Sequence, residues 1–192
     1  MVRVEGYGIL EKMGERAVCT ARMASAMLVS GQRSADREQR RIQTEVERAY
    51  SALVQGLLGA SCAVGERAAM ARVGAALRRV VHAATEVAAL LRGRSVRTWT
   101  LLDRVRTSVV QTERLVSLIG GHAKGEERSV QIRDFCEQSV RLSQLEELFF
   151  ERFAEDGESE VALLLSQVLC EWRAALTEAF DSTVALLLEF AT

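Results

Sequence analysis

The stretch SADREQRRIQTEVERAYSALVQGLL, residues 34–58, decides how the rest of the chain is read. Its apolar residues Ile42, Val46, Ala49, Leu53 and Leu57 step by four, three, four and four, which puts them on one face of an α-helix. Ser34 and Asp36 stand where N-caps belong, Glu38 falls in the first turn, and Gly56 with Gly59 marks the end. A second stretch, Ser129 to Phe153, has the same form. There Ile132, Cys136, Leu142, Leu145, Phe149 and Phe153 make the stripe, and a polar break and another long helix follow. The chain reads as a duplication.

Working outward, the spacing predicts a first helix from about Tyr7 to Val29, with Met13, Ala17, Ala21, Ala24 and Leu28 on its buried face. A third runs from Glu66 to Leu91 on Met70, Val73, Leu77, Val80, Ala84, Val87 and Leu91, and Gly93 stops it. A fourth, Thr98 to Ile119, is expected to bury Trp99, Leu102, Val105, Val109 and Val116, and Gly120, Gly121 and Gly125 form a loop after it. Beyond the acidic link Ala154 to Glu160, a sixth carries Leu164, Val168, Trp172, Leu176, Ala179, Thr183, Leu186 and Phe190. The order is three helices, a basic link from Arg92 to Arg97, and three helices again. Leu77 corresponds to Leu176, and Gln43 to Gln138. The fold expected is therefore all-α: a six-helix up-down bundle, one domain over 1–192 with pseudo-repeats 1–93 and 97–192.

Composition agrees. Proline is absent from the 192 residues, where average usage would supply roughly ten, and a chain without it suits long helices on short links. Cys19, Cys62, Cys136 and Cys170 are far apart and have no histidine at metal-ligand spacing, so they read as small core residues in a reducing compartment. Residues 1–13 lack the apolar run of a signal peptide, and runs such as Val184 to Leu188 are too short to span a bilayer, so a cytoplasmic location is expected. Net charge is −1 and gives no reason to expect a nucleic-acid partner. The halves differ, however. Residues 1–100 hold 16 Lys or Arg against 9 Asp or Glu, and residues 101–192 hold 9 against 17.

At this point a family can be named. The run Ala17 to Leu28, then Arg41-Ile42-Gln43-Thr44-Glu45-Val46-Glu47, Ala75-Ala76-Leu77 through Val81, Phe149-Phe150-Glu151-Arg152-Phe153-Ala154-Glu155 and Leu176 to Val184 resembles the PhoU-like accessory proteins of phosphate transport. The resemblance implies two tandem three-helix bundles on the cytoplasmic side, peripheral to the inner face of the membrane, acting on a permease. It also implies metal-binding carboxylate pairs at i and i+4 on the second and third helix of each repeat. The matching positions here are Gln43 and Glu47, Arg78 and His82, Gln138 and Leu142, Thr177 and Asp181. Six of the eight lack a carboxylate, so no metal cluster or other cofactor is expected; Glu47, His82 and Asp181 are the weak candidates for a ligand.

The remaining chemistry is thin. His82 reads as a surface or boundary histidine rather than a phosphotransfer acceptor, since Thr85 and Ala89 stand where a helper lysine would be wanted. Trp99 and Trp172 read as core anchors in equivalent buried places, and Glu146-Glu147 as a solvated face. No catalytic set stands out. The function expected is a non-catalytic regulator that binds a membrane transporter or signalling protein, with Arg92, Arg94 and Arg97 as the partner-binding cations. The alternative is a free-standing helical structural or signalling module that acts as a homo-oligomer through its opposite charges.

Overall fold

Alanine, leucine, arginine and glutamate lose least on entering a helix, and they fill this chain with no proline to interrupt them. The computed structural model describes residues 2–30, 36–91, 99–120, 126–156 and 160–189. Within these lie six helices and no strand: α1 (Val2–Ser30), α2 (Asp36–Leu58), α3 (Val64–Leu91), α4 (Trp99–Ile119), α5 (Glu126–Asp156) and α6 (Glu160–Glu189). The all-helical expectation holds, with α1 and α5 each longer than the periodicity indicated. Three buried threonines satisfy their hydroxyls locally. Thr20, Thr112 and Thr183 each donate to the carbonyl four residues back, which is how a threonine can be buried at these places.

Side-chain pairs fix the directions of the helices. Arg16 meets Glu45 and Gln39 reaches Met27, so α1 and α2 run antiparallel. Glu47 meets Arg78 while Leu53 lies against Gly74, so α3 turns back along α2. Gln111 meets Ser139 and Gln131 meets Ser117, so α5 opposes α4; Arg104 to Ser166 and Trp172 to Thr112 make α6 parallel to α4. The broadest seam is α3 on α6. α1 lies against both α3 and α4, and α2 and α5 flank the outside. One continuous apolar core runs through both halves, from Leu10 and Met13 through Leu77 to Trp172 and Leu186.

Close approach between helices rests on two glycines. A Cβ on Gly14 would stand 3.0 Å from both methyls of Val116, and one on Gly74 would stand 2.6 Å from Leu53 Cδ2. Every stripe residue expected on α3, from Met70 to Leu91, is buried. On α2, Ile42, Val46, Leu53 and Leu57 are buried and Ala49 half-buried.

α4 departs from expectation. Trp99 is 48% exposed, with Arg152 stacked on its ring, so the two tryptophans do not occupy equivalent buried places. Leu102, Val109 and Val116 are only half-buried; the inner face is Leu101, Arg104, Val105, Ser108, Gln111, Thr112 and Leu115. On α5 Cys136 is exposed and Phe135 takes the core place, stacked on Phe180 at 4.1 Å. On α6 Leu164 is exposed and Leu165 buried. In each case the true stripe lies one or two residues from the expected one. Phe190 lies outside the described residues.

Candidate functional site

Antiparallel packing of α2 on α3 brings three of the sequence-selected residues together. Glu47 Oε2 lies 3.3 Å from an Arg78 guanidinium nitrogen, and Glu47 Oε1 lies 2.9 Å from His82 Nε2. Arg78 and His82 are four apart, so they rise from one face of α3. The Tyr50 ring, one turn along α2 from Glu47, lies under the Arg78 guanidinium at 4.8 Å from its centroid. Gln43 is half-buried one turn before Glu47. Both oxygens of the one carboxylate are thus taken by nitrogen donors, and a guanidinium cannot lose its proton to become a ligand. Among the described residues no three His, Cys, Asp or Glu side chains converge as a metal site would require. All three side chains are half exposed, which holds their mutual worth to about 0.2–1 kcal/mol per pair.

The four residues selected in the second half do not converge in this way. Gln138 is half-buried, Leu142 is buried in the core, and Thr177 donates back to the Arg173 carbonyl at 3.1 Å. Asp181 is exposed beside Thr177 and Glu178, in a groove where α6 faces Arg72 of α3. Two turns beyond Arg72, Arg79 of α3 pairs with Glu178 at 2.7 Å across the same seam. Arg92, Arg94 and Arg97 lie outside the described residues.

A polar network inside the second half has no counterpart among the residues selected from sequence. Arg104 is 2% exposed, yet among the described residues its guanidinium touches no carboxylate. It donates to Ser166 Oγ at 2.6 Å, to the Ser166 carbonyl at 3.3 Å and to Cys170 Sγ at 3.3 Å, and Phe149 presents its ring at 6.0 Å. The Cys170 thiol donates to Glu146 Oε1 at 3.1 Å, and Arg173 closes the chain by pairing with Glu146 Oε2 at 3.1 Å and donating to Ser143 Oγ at 2.6 Å. Glu146, read from sequence as solvated, has a side chain only 19% exposed. Burial pushes the Cys170 thiol up, and its hydrogen bond to the Glu146 carboxylate adds to this, against a smaller opposing effect of Arg104. The sulfur is held as a protonated thiol, a poor nucleophile whose weak S–H donor is directed at Glu146.

Sequence reasoning missed this network because hydropathy assigns arginine, serine and glutamine to solvent. The signal that finds it is the recurrence of small polar residues, Ser108, Thr112, Ser166 and Cys170, at helical spacing around one arginine. Taking a cation out of water costs several kcal/mol, and only a shell of correctly placed acceptors makes that tolerable. No family model matches the chain, and no curated protein matches it.

Proposed function

We propose that the chain is a non-catalytic regulator built from two copies of a PhoU-like three-helix unit, which acts by binding a membrane permease for phosphate or another anion. The observation that carries the reading is a repeat in burial. Leu10, Ala17, Ala21, Ala24 and Met27 of α1 are matched, 91 residues on, by buried Leu101, Ser108, Thr112, Leu115 and Leu118. Val46 and Leu53 of α2 are matched 96 residues on by Leu142 and Phe149, and Met70, Val73, Leu77, Val80 and Ala84 of α3 are matched 99 residues on by Leu169, Trp172, Leu176, Ala179 and Thr183. A chain that repeats its inner face helix by helix, with α3 on α6 as the central seam, is the arrangement the family resemblance implies.

The burial register also refines one correspondence. Buried Leu142 stands where Val46 stands, so the α5 positions that match Gln43 and Glu47 are Ser139 and Ser143, one residue beyond Gln138 and Leu142. Neither is a carboxylate. The Glu47, Arg78 and His82 cluster then replaces a bound ion with an internal cation, and the surface is left to recognise a partner by charge. The basic link, with Arg92, Arg94 and Arg97, faces the anionic cytoplasmic leaflet in this reading.

Deleting the gene and measuring uptake of radiolabelled phosphate, sulfate and arsenate tests it. A changed rate for one anion, with the tagged protein recovered from membranes together with the matching permease, is the expected result. Replacing Arg92, Arg94 and Arg97 by Ser should weaken membrane recovery and flatten its salt dependence without altering the melting temperature. Unchanged uptake of every anion, with the protein recovered only with copies of itself, would favour the self-associating module instead.

A further inference from the structure

α5 touches α6 far more sparsely than α2 touches α3. The two-repeat register identifies the cause. Displaced by 96 and 99 residues, Tyr50 becomes Glu146 and Gly74 becomes Arg173. In the first half the bare backbone at Gly74 receives Leu53 and the Tyr50 ring in contact, and the seam is closed. In the second, Arg173 stands in the glycine's place and spans to Glu146 and Ser143, which props the helices apart. The result is a cleft of about 490 Å³ lined by Ser143, Glu146, Glu147, Phe150, Glu151 and Arg173.

The lining selects among ligands. Glu146 is already compensated by Arg173, whereas Glu147 and Glu151 are exposed and have no cation in contact among the described residues. They are four apart, with Phe150 between them on the same turn and 43% exposed. Two free carboxylates at the mouth disfavour an anion. A bare metal ion has no apolar stem to lay on the phenyl ring. What satisfies ring and carboxylates together is a cation on an apolar stem, the chemistry of an arginine or lysine side chain.

We propose that the α5–α6 cleft docks a basic segment of a protein partner, with an arginine or lysine stem lying on Phe150 and its charged head between Glu147 and Glu151. Charge complementarity extends beyond the cleft, since residues 101–192 carry 17 acids against 9 cations. That the segment is a cytoplasmic loop of a permease rests on the regulator reading above: such loops are enriched in Lys and Arg. The cleft and its charge do not depend on that reading.

Fluorescence anisotropy of the full chain with a labelled arginine- and leucine-rich peptide tests the proposal, with the same peptide carrying Glu for Arg as the reference. The basic peptide should bind and the acidic one should not. Glu147→Gln with Glu151→Gln should weaken binding about tenfold and flatten its salt dependence, and Phe150→Ala several-fold. Glu127→Gln with Glu137→Gln changes net charge equally on the same helix and should leave binding intact; circular dichroism verifies that each variant is folded. Equal weakening by the Glu127 and Glu137 pair, no binding of the basic peptide, or displacement of that peptide by spermidine at matched charge would overturn the proposal. The two readings fail separately. A permease that co-purifies equally with the Glu147 and Glu151 variant removes the cleft from docking and leaves the regulator standing. Peptide binding that follows the cleft, with anion uptake indifferent to the gene, does the reverse.

Discussion

Gly74→Ala isolates the contact that closes the first half. The new methyl would lie 2.6 Å from Leu53 Cδ2 and 3.2 Å from a Tyr50 ring carbon. Leu53 is 1% exposed, so it cannot swing aside into water. Overpacking of this kind costs about 1–3 kcal/mol, while replacing a mid-helix glycine by alanine returns about 0.8–1 kcal/mol, for a net loss of about 1 kcal/mol. Leu53→Ala alone should cost about 2–5 kcal/mol, as deletion of a buried leucine does. In that background the 2.6 Å obstacle is gone, and Gly74→Ala should turn from destabilising to neutral or stabilising, a coupling of about 1–2 kcal/mol. Urea unfolding of the four proteins, followed by far-ultraviolet circular dichroism and by tryptophan fluorescence, measures the cycle. Equal effects of Gly74→Ala in both backgrounds, or stabilisation of the parent chain, would refute the claim that Gly74 is required for close approach of α2.

Three further outcomes are expected. Glu47→Gln should lower stability by only about 0.2–1 kcal/mol, and Arg78→Ala by slightly more through its lost Tyr50 contact, both read as shifts in melting temperature; a loss above about 3 kcal/mol would make the cluster a core element. Arg104→Met should leave stability within about 1 kcal/mol of the parent or raise it, because an apolar side chain of similar length removes a desolvated cation, whereas Arg104→Ala should cost about 2–5 kcal/mol through the cavity it opens; equal losses in chemical denaturation would contradict this. Iodoacetamide should modify exposed Cys136 well before Cys170 at pH 8, as mass mapping would reveal. The folded thiol of Cys170 lies above its ordinary value of 9.0, so its contribution to stability is complete below pH 9 and is lost as pH rises through the folded value. Cys170→Ser should accordingly flatten the alkaline limb of the stability profile.

The legible parts of the sequence were those in which apolarity and burial coincide. α3 packs against α1, α2 and α6, so its inner face must be apolar throughout, and all seven residues expected there are buried. α4 fails the same test because its inner face carries Arg104, Ser108, Gln111 and Thr112, which hydropathy places outside. The moment is then dominated by Trp99, Leu102, Val109 and Val116, and the stripe is read about one residue out of phase. Cys136 for Phe135 and Leu164 for Leu165 are the same error at neighbouring positions. Of the candidate site, the Glu47 to Arg78 pair was within reach of sequence, because antiparallel helices carrying an acid and a base at matched heights must meet. Arg104 was not, since nothing local distinguishes a buried arginine from a solvated one.

On the two-repeat reading, the buried polar network and the open cleft have one origin. In the first half α2 is held to α3 by an apolar interlock, Leu53 and Tyr50 against Gly74. In the second half α5 leans instead on α4, through Gln111 to Ser139, Gln131 to Ser117, Arg141 to Asp103 and Arg114 to Asp134. These are contacts that water can replace, each with a net worth of roughly 0.5–1.5 kcal/mol for the hydrogen bonds and less for the exposed ion pairs. α5 also sets Phe135, Leu142, Leu145 and Phe149 in the core, so moving the whole helix would open a cavity, as it would for α2. What a ligand entering the α5–α6 cleft meets first is the polar brace from Arg173 to Glu146 and Ser143. Its movement would pull Glu146 from Cys170 and so disturb the shell that keeps Arg104 buried. Occupancy of the cleft is thereby connected to the core of the second half through four side chains: Glu146, Cys170, Ser166 and Arg104.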